Sequence, residues 1–251
     1  MCGNSAVRSS DTSLINRRTG YEEELSIMIG SSLNEVEIPL GGQSHMGLLA
    51  VPDNACGLVI FAHGSGSSRL SARNNFVAEV IRKRGIATLL FDLLTEKEDQ
   101  VYQTRFDIHL LTNRLLEATV WVRSQPALEK LAIGYFGAST GAAAALKAAG
   151  RLGKSVSAVV SRGGRPDLAG VADLNLVLAP TLLIVGGDDE GVIELNQQAY
   201  MALTTIKELK IVPGATHLFE EPGTLLRAAE LAADWFERYL VSSSKIAGVA
   251  H

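Results

Sequence analysis

Short apolar runs alternate along the chain with longer segments that have a helical pattern of apolar residues. The apolar runs predict strands at residues 57–62, 86–91, 131–136, 156–161, 181–185 and 206–212. The segments between and after them predict helices at residues 71–84, 104–124, 140–152, 192–203 and 224–240. Strands that are separated by helices imply parallel crossover connections, so the pattern predicts an α/β protein.

A hairpin precedes this alternation. Apolar residues at 36–40 and 46–51 flank the run Gly41-Gly42-Gln43-Ser44-His45, which is typical of a glycine turn. The hairpin and six strand–helix units together predict an eight-stranded, mostly parallel sheet. Helices should cover both faces, because nearly every residue in the parallel strands is apolar. The segment between residues 161 and 181 is too short for a separate lid domain, which predicts an accessible cleft.

Composition favours a single domain. Of the 251 residues, 47% are hydrophobic, enough for one large core. We expect this domain at residues 31–241, with a poorly ordered tail at 1–30 and a short exit tail at 242–251. The net charge is only −4 and the basic residues are scattered, which argues against nucleic acid as a partner.

The expected compartment is the cytoplasm. Cys2 and Cys56 lie in unrelated contexts, so a disulfide between them is not expected and a reducing compartment fits best. The first 27 residues lack the apolar core of a secretory signal. The longest apolar stretch, residues 174–185, is broken by Pro180 and is too short to span a membrane. We therefore expect a soluble monomer or homodimer with no membrane partner.

The run Gly137-Ala138-Ser139-Thr140-Gly141 carries the strongest chemical signal. It lies between a predicted strand and a predicted helix, and glycines on both sides of the serine leave room for a cramped strand-to-helix turn. Such a turn exposes the serine hydroxyl. The helix that follows supplies amide donors suited to an oxyanion. The pattern therefore predicts a nucleophile elbow at Ser139.

A second loop follows the strand at residues 57–62. In an open parallel sheet, ligands bind beyond the carboxyl ends of the strands, so His63-Gly64-Ser65-Gly66 lies where an oxyanion donor is needed. We assign the oxyanion hole to the backbone amides of Ser65 and Thr140, with Gly64 as the alternative to Ser65. A flexible loop without this role is the other interpretation. His63 is expected to buttress the loop by hydrogen bonding.

The serine requires a base, and His217 is the candidate. It follows the last predicted strand, at the edge of the sheet where this arrangement places its base. The acid should follow the strand at 181–185, where Asp188, Asp189 and Glu190 are adjacent. We choose Asp189 because of its spacing within the turn, with Asp188 as the alternative, and the other carboxylate then caps the next helix.

Several residues are candidates for substrate binding. Arg162 leaves the strand next to the elbow and could bind a substrate carboxylate, although a structural role is the alternative; Arg165 in the same loop could instead pair with Asp167. Leu93 and Tyr102, with Leu94, could line an acyl pocket or simply pack in the core. Asp92 is expected to brace its loop.

The sequence resembles an α/β-hydrolase of the dienelactone hydrolase-like group from about residue 36 to residue 240. The resemblance is carried by four runs: His63-Gly64-Ser65-Gly66-Ser67, Gly137-Ala138-Ser139-Thr140-Gly141, Gly186-Gly187-Asp188-Asp189 and Gly214-Ala215-Thr216-His217.

This resemblance implies the α/β-hydrolase fold and a Ser139–Asp189–His217 triad that cleaves small carboxylic esters or thioesters without a metal or organic cofactor. Dienelactone hydrolases carry cysteine at the nucleophile position, so Ser139 argues against dienelactone as the substrate. Some similar proteins are joined to a phosphoribosyltransferase domain, which is absent from this sequence. An acyltransferase with the same triad and a catalytically silent binding module are the alternative functions.

Overall fold

The computed structural model describes residues 33–247, with side chains described as far as residue 240. The strands are β1 Asn34–Leu40, β2 Gln43–Ala50, β3 Gly57–Ala62, β4 Ala87–Phe91, β5 Ala132–Ala138, β6 Ala158–Arg162, β7 Thr181–Gly186 and β8 Lys207–Val212. The α-helices are α1 Ala72–Arg82, α2 Glu96–Asp99, α3 Ile108–Ser124, α4 Thr140–Leu152, α5 Val171–Leu174, α6 Glu190–Ala202 and α7 Thr224–Ala247. Three 3₁₀ turns are Tyr102–Phe106, Gly153–Ser155 and Pro166–Ala169.

All eight strands form one sheet in the order β1-β2-β4-β3-β5-β6-β7-β8. The hairpin partners β1 and β2 are antiparallel, and β2 is also antiparallel to β4. Every other pair is parallel, as the crossover pattern predicts. The predicted eight-stranded, mostly parallel sheet of an α/β-hydrolase is therefore confirmed. Since β5 lies near the centre of the sheet, its carboxyl end is surrounded by loops from several other strands.

Helices cover both faces of the sheet and form two hydrophobic clusters. On one face, α3, α4 and α6 pack through residues that include Leu115, Leu146 and Ala199. On the other face, α1 and α7 pack through Val77 and Phe236. Among the helices of the described residues, none is long and apolar enough to cross a bilayer.

The termini of two helices differ from the sequence prediction. Helix α3 begins at Ile108 rather than residue 104, because the Asp107 carboxylate accepts a hydrogen bond from the Leu110 amide (2.9 Å) and caps the helix there. Helix α7 continues to Ala247, so the serines at 242–244 lie in a helix rather than in an exit tail. Serine is only a moderately poor helix former and does not end one by itself. The tail predicted at residues 1–30 lies outside the described residues.

No lid domain separates β6 from β7. That connection contains only the 3₁₀ turn Pro166–Ala169 and the four-residue helix α5. The connection therefore has no room for a lid domain, as its length in the sequence predicts.

Candidate active site

Ser139 occupies a strained turn between β5 and α4. Its backbone has φ 50° and ψ −122°, a region that residues other than glycine rarely adopt. The turn requires a glycine at position 141, since a Cβ there would lie 2.1 Å from the carbonyl oxygen of Ala62. Backbone hydrogen bonds to β6 and the loop after it secure the turn: the Ser139 amide donates to the Arg162 carbonyl (3.4 Å), and the Ser139 carbonyl accepts from the Arg165 amide (3.0 Å). The backbone has the geometry predicted for a nucleophile elbow.

His217 and Asp189 are joined by a hydrogen bond. The His217 Nδ1 atom lies 2.7 Å from Asp189 Oδ2. An ionised carboxylate can only accept, so Nδ1 carries the proton and the Nε2 lone pair is left free. Asp189 holds the N-cap position of α6 but makes no capping hydrogen bond through its side chain. The neighbouring carboxylate of Asp188 is exposed, and its backbone amide donates to the Ala215 carbonyl. Of the two candidate acids, Asp189 is the one that contacts the imidazole.

Ser139 and His217 line one pocket of about 210 Å³. Its other lining residues are Gly64, Ser65, Ser67, Ser71, Arg73, Asn74, Ala138, Arg162, Gly163 and Leu218. The loop after β3, the elbow, the end of β6 and the loop after β8 therefore meet at the carboxyl edge of the sheet. The structure thus brings together Ser139, His217, Ser65 and Arg162, and Asp189 reaches them through its contact with His217.

The loop after β3 packs against the elbow. A Cβ on Gly64 would lie 3.0 Å from the Cβ of Ser139. The Ser65 amide donates a hydrogen bond to Thr140 Oγ1 (3.0 Å), so this predicted oxyanion donor is engaged with the side chain of its predicted partner. The Thr140 amide belongs to the first turn of α4, where amides lack an acceptor within the helix.

His63 supports the loop after β3 through hydrogen bonds, as predicted. Its Nδ1 donates to the Gly64 carbonyl (2.9 Å), and its Nε2 accepts from the Leu93 amide (3.0 Å). Burial lowers the pKa of His63 because the charged imidazolium would lose its hydration. The ring is therefore neutral near pH 7 and serves as one donor and one acceptor.

Arg162 is the last residue of β6 rather than part of the following loop, and its side chain is only 7% exposed. Its Nη2 lies 3.4 Å from Asn74 Oδ1, and its guanidinium carbon lies 5.6 Å from the centre of the Phe219 ring. Burial lowers the pKa of Arg162 to about 10, mainly by desolvation, with a smaller contribution from Arg73. Arg162 still carries its positive charge at neutral pH.

Arg165 makes a different arrangement. It binds Asp167 through two hydrogen bonds of 2.9 and 2.8 Å, which is the pairing that the sequence offered as an alternative to substrate binding. Asp92 braces its loop as expected, because both of its carboxylate oxygens accept from Arg69.

Leu93 and Tyr102 are not brought to the pocket at Ser139. Leu93 is fully buried in the core cluster that also contains Leu111 and Leu115 of α3, and its amide donates to His63. Tyr102 is 67% exposed and packs on Phe106 within a 3₁₀ turn. The structure therefore shows the packing role for Leu93, and for Tyr102 it shows a surface position instead of an acyl-pocket wall.

The sequence does not predict several residues near the pocket, among them Arg73, Asn74, Leu218 and Phe219. The sequence does contain a signal that could identify Arg73 and Asn74. Helix α1 follows the loop after β3, so its first turn must begin near the carboxyl edge of the sheet, where Arg73 and Asn74 are polar. No comparable signal marks Phe219, which has a φ of 57° in the loop after His217.

The remaining histidines lie elsewhere. His45 is buried within β2, where its Nδ1 lies 2.7 Å from the Asp92 carbonyl oxygen. His109 is exposed on α3, and His251 lies outside the described residues. Within residues 33–240, no group of three or more His, Cys, Asp or Glu side chains is placed to hold a metal ion.

Solved structures of known hydrolases resemble this chain. A dienelactone hydrolase from Anabaena variabilis is 52% identical and superposes with a TM-score of 0.82, covering 84% of this chain and 99% of that protein. Est1E from Butyrivibrio proteoclasticus is 17% identical, with a TM-score of 0.71 over 82% of this chain and 98% of its own. A Pyrococcus furiosus esterase is 19% identical, with a TM-score of 0.70 over 87% of this chain and 94% of its own. The last two share the fold.

Curated relatives are longer than this chain. Two proteins from strains of Mycobacterium tuberculosis, each named "Putative phosphoribosyl transferase", are 56% identical over 206 residues. The match covers 82% of this chain but only 46% of each relative, so the chain spans about half their length. No family model matches the chain.

Proposed function

The chain belongs to the dienelactone hydrolase family of α/β-hydrolases, and from that premise we propose that it cleaves small carboxylic esters or thioesters through an acyl-enzyme on Ser139. The observation that carries the proposal is the 2.7 Å hydrogen bond between His217 and Asp189, beside a pocket that Ser139 also lines. Nucleophile, base and acid are the three parts that such chemistry requires.

In the first step, His217 Nε2 takes the proton of the Ser139 hydroxyl while the oxygen attacks the ester carbonyl carbon. Asp189 accepts from Nδ1, which fixes the tautomer that leaves Nε2 basic and stabilises the imidazolium that forms. The imidazolium then gives its proton to the departing alcohol or thiol. Water, activated by the same nitrogen, attacks the acyl-enzyme and releases the acid.

The oxyanion of each tetrahedral intermediate would be stabilised by the amides of Thr140 and Ser65. The Thr140 amide has the support of the helix dipole of α4. The Ser65 amide donates to Thr140 Oγ1 at 3.0 Å, so it would have to share this hydrogen with the oxyanion or exchange it. A donor in such a site contributes about 10²- to 10³-fold to turnover.

The size of the pocket supports a small substrate. Its volume of about 210 Å³ is below the range of roughly 300 to 1,000 Å³ that is usual for drug-sized ligands. We therefore expect short acyl chains to be preferred in a series of p-nitrophenyl esters of increasing chain length, tested with thioester and lactone substrates alongside.

The decisive experiment is the substitution Ser139→Ala. We expect turnover to fall by about a thousandfold or more, and labelling by a fluorophosphonate probe to disappear. Ser155→Ala is the matched control, because Ser155 is exposed in the 3₁₀ turn after α4, away from the pocket lining. An active Ser139→Ala protein would exclude this serine as the nucleophile.

The same probe separates the alternatives. A folded wild-type protein that fails to react would favour a silent binding module, and product analysis with competing alcohols would reveal an acyltransferase. The phosphoribosyl transferase name belongs to proteins of which this chain covers 46%. We propose that any such activity resides outside the segment that this chain matches.

A further inference from the structure

Arg162 is a buried cation that lines the pocket beside Ser139, and we infer that it forms an anion subsite: the ester that this protein cleaves carries a carboxylate, which Arg162 binds. The part of this inference that concerns ester cleavage rests on the proposed function. The anion subsite follows from the surroundings of the Arg162 side chain.

Arg162 lacks a counter-ion. Within the described residues, no carboxylate lies within ion-pair distance of it, and its Nε and Nη1 atoms are buried without an acceptor. Its side chain contacts Asn74 through a long hydrogen bond and lies over the Phe219 ring, and both partners are uncharged. Removing a charged group from water without pairing it is costly, so a protein seldom keeps such a residue without a ligand or a strong structural reason.

The other groups that face the pocket do not neutralise this charge. Arg73 also lines it and adds a second positive charge, although this side chain is 38% exposed and pairs with Glu220 at 3.0 Å. The remaining lining residues are serines, glycines, Ala138, Asn74, Leu218 and His217. No carboxylate is among the described residues that line the pocket, and the Asp189 carboxylate behind it is bound to His217. The pocket therefore has a positive potential that favours an anionic group.

The balance of charge favours a carboxylate over a phosphate. Of the two guanidinium groups that line the pocket, Arg73 is paired and Arg162 is not. A carboxylate brings one negative charge, whereas a phosphate monoester brings about 1.5 to 2 at neutral pH. Planar carboxylates also match the geometry of the guanidinium group. The small volume further restricts the ligand to a short chain between the ester carbonyl and the carboxylate.

The test compares two esters of similar length, p-nitrophenyl hydrogen glutarate and p-nitrophenyl valerate. We expect Arg162→Gln to lower kcat/KM for the glutarate ester about 10- to 100-fold more than for the neutral ester, mainly through KM, which is the range for a lost hydrogen bond to a charged group. Arg162→Lys should restore part of the preference. Arg165→Gln is the matched control from the loop that follows Arg162, because the Arg165 side chain pairs with Asp167 and does not line the pocket.

Equal losses for both esters in Arg162→Gln, with no recovery in Arg162→Lys, would overturn the subsite and indicate a structural role. Fluorophosphonate labelling counts the functional sites in each preparation, so partial misfolding does not affect the ratio. A binding measurement separates this inference from the proposed function: calorimetry of monomethyl glutarate with Ser139→Ala and with Ser139→Ala/Arg162→Gln needs no turnover. Binding that depends on Arg162, without ester cleavage by the wild type, would support the subsite and reject the esterase. Cleavage of both esters without any dependence on Arg162 would do the reverse.

Discussion

Asp189→Asn removes a negative charge that lies 2.7 Å from His217 while keeping almost the same side-chain shape. In the proposed reaction an imidazolium forms beside this carboxylate. Two unit charges about 4 Å apart, near a protein surface with an effective dielectric constant of about 20, attract each other by about 4 kcal/mol. Because about 1.4 kcal/mol corresponds to a tenfold change in rate, the full loss would be about a thousandfold in kcat.

The solvent exposure of Asp189 and His217 sets the lower limit of the expected loss in kcat. The Asp189 side chain is 16% exposed and that of His217 is 38% exposed, so water screens part of the interaction. We therefore expect kcat to fall about 100- to 1,000-fold in Asp189→Asn, measured from initial rates with p-nitrophenyl acetate. Thermal unfolding would establish that the variant is folded.

Asp188→Asn is the matched control. This neighbouring carboxylate is exposed and does not contact the imidazole, so we expect kcat to stay within about threefold of the wild type, which corresponds to less than about 1 kcal/mol in the activation barrier. A larger loss in Asp188→Asn than in Asp189→Asn would show that Asp188, and not Asp189, is the acid. Full activity in both variants would refute the requirement for an acid.

Two further predictions concern the scaffold of the site. Gly141→Ala places a Cβ 2.1 Å from the Ala62 carbonyl oxygen, so we expect the free energy of unfolding, measured with urea, to fall by about 1 to 3 kcal/mol. Gly191→Ala is the control, because its Cβ meets nothing within 4 Å, and it should be neutral or stabilising. Equal effects of the two substitutions would contradict this account of the elbow. His63→Leu leaves the Leu93 amide without its acceptor and should cost about 1 to 3 kcal/mol at pH 7.5. Because burial lowers the pKa of His63, the unfolded chain binds a proton below about pH 6.5 that the folded wild type does not, and wild-type stability falls there by up to about 1.4 kcal/mol per pH unit. The difference in the free energy of unfolding between the wild type and His63→Leu should therefore shrink as the pH falls from 7.5 to 5.5. A difference that is independent of pH would show that His63 is not held neutral.

The architecture was predictable because its signals are local. Apolar runs such as Thr181–Gly186 are buried along their whole length, and helices intervene between them, which leaves few alternatives to a parallel sheet. The elbow was also predictable, since the glycines at 137 and 141 are required by close backbone contacts. Residues that follow the carboxyl ends of parallel strands lie at the same edge of the sheet, and this placement depends only on the topology.

Choices between neighbouring side chains depend on contacts that the sequence does not contain. Asp188 and Asp189 differ only in which carboxylate meets His217, and that depends on how the backbone turns after β7. The burial of Arg162 depends on Asn74 and Phe219, which come from distant parts of the chain. Leu93 and Tyr102 both follow β4 in the sequence, yet Leu93 is in the core and Tyr102 is on the surface.

The conformation of Ser139 has a consequence for laboratory evolution. Its positive φ is one that glycine adopts without strain, so this position opposes folding by an amount of about 1 to 3 kcal/mol. A screen that rewards heat tolerance alone would favour glycine there and discard the hydroxyl. Thermostable derivatives of this protein should therefore be selected for turnover and heat tolerance together, so that the gain comes from positions remote from the bend.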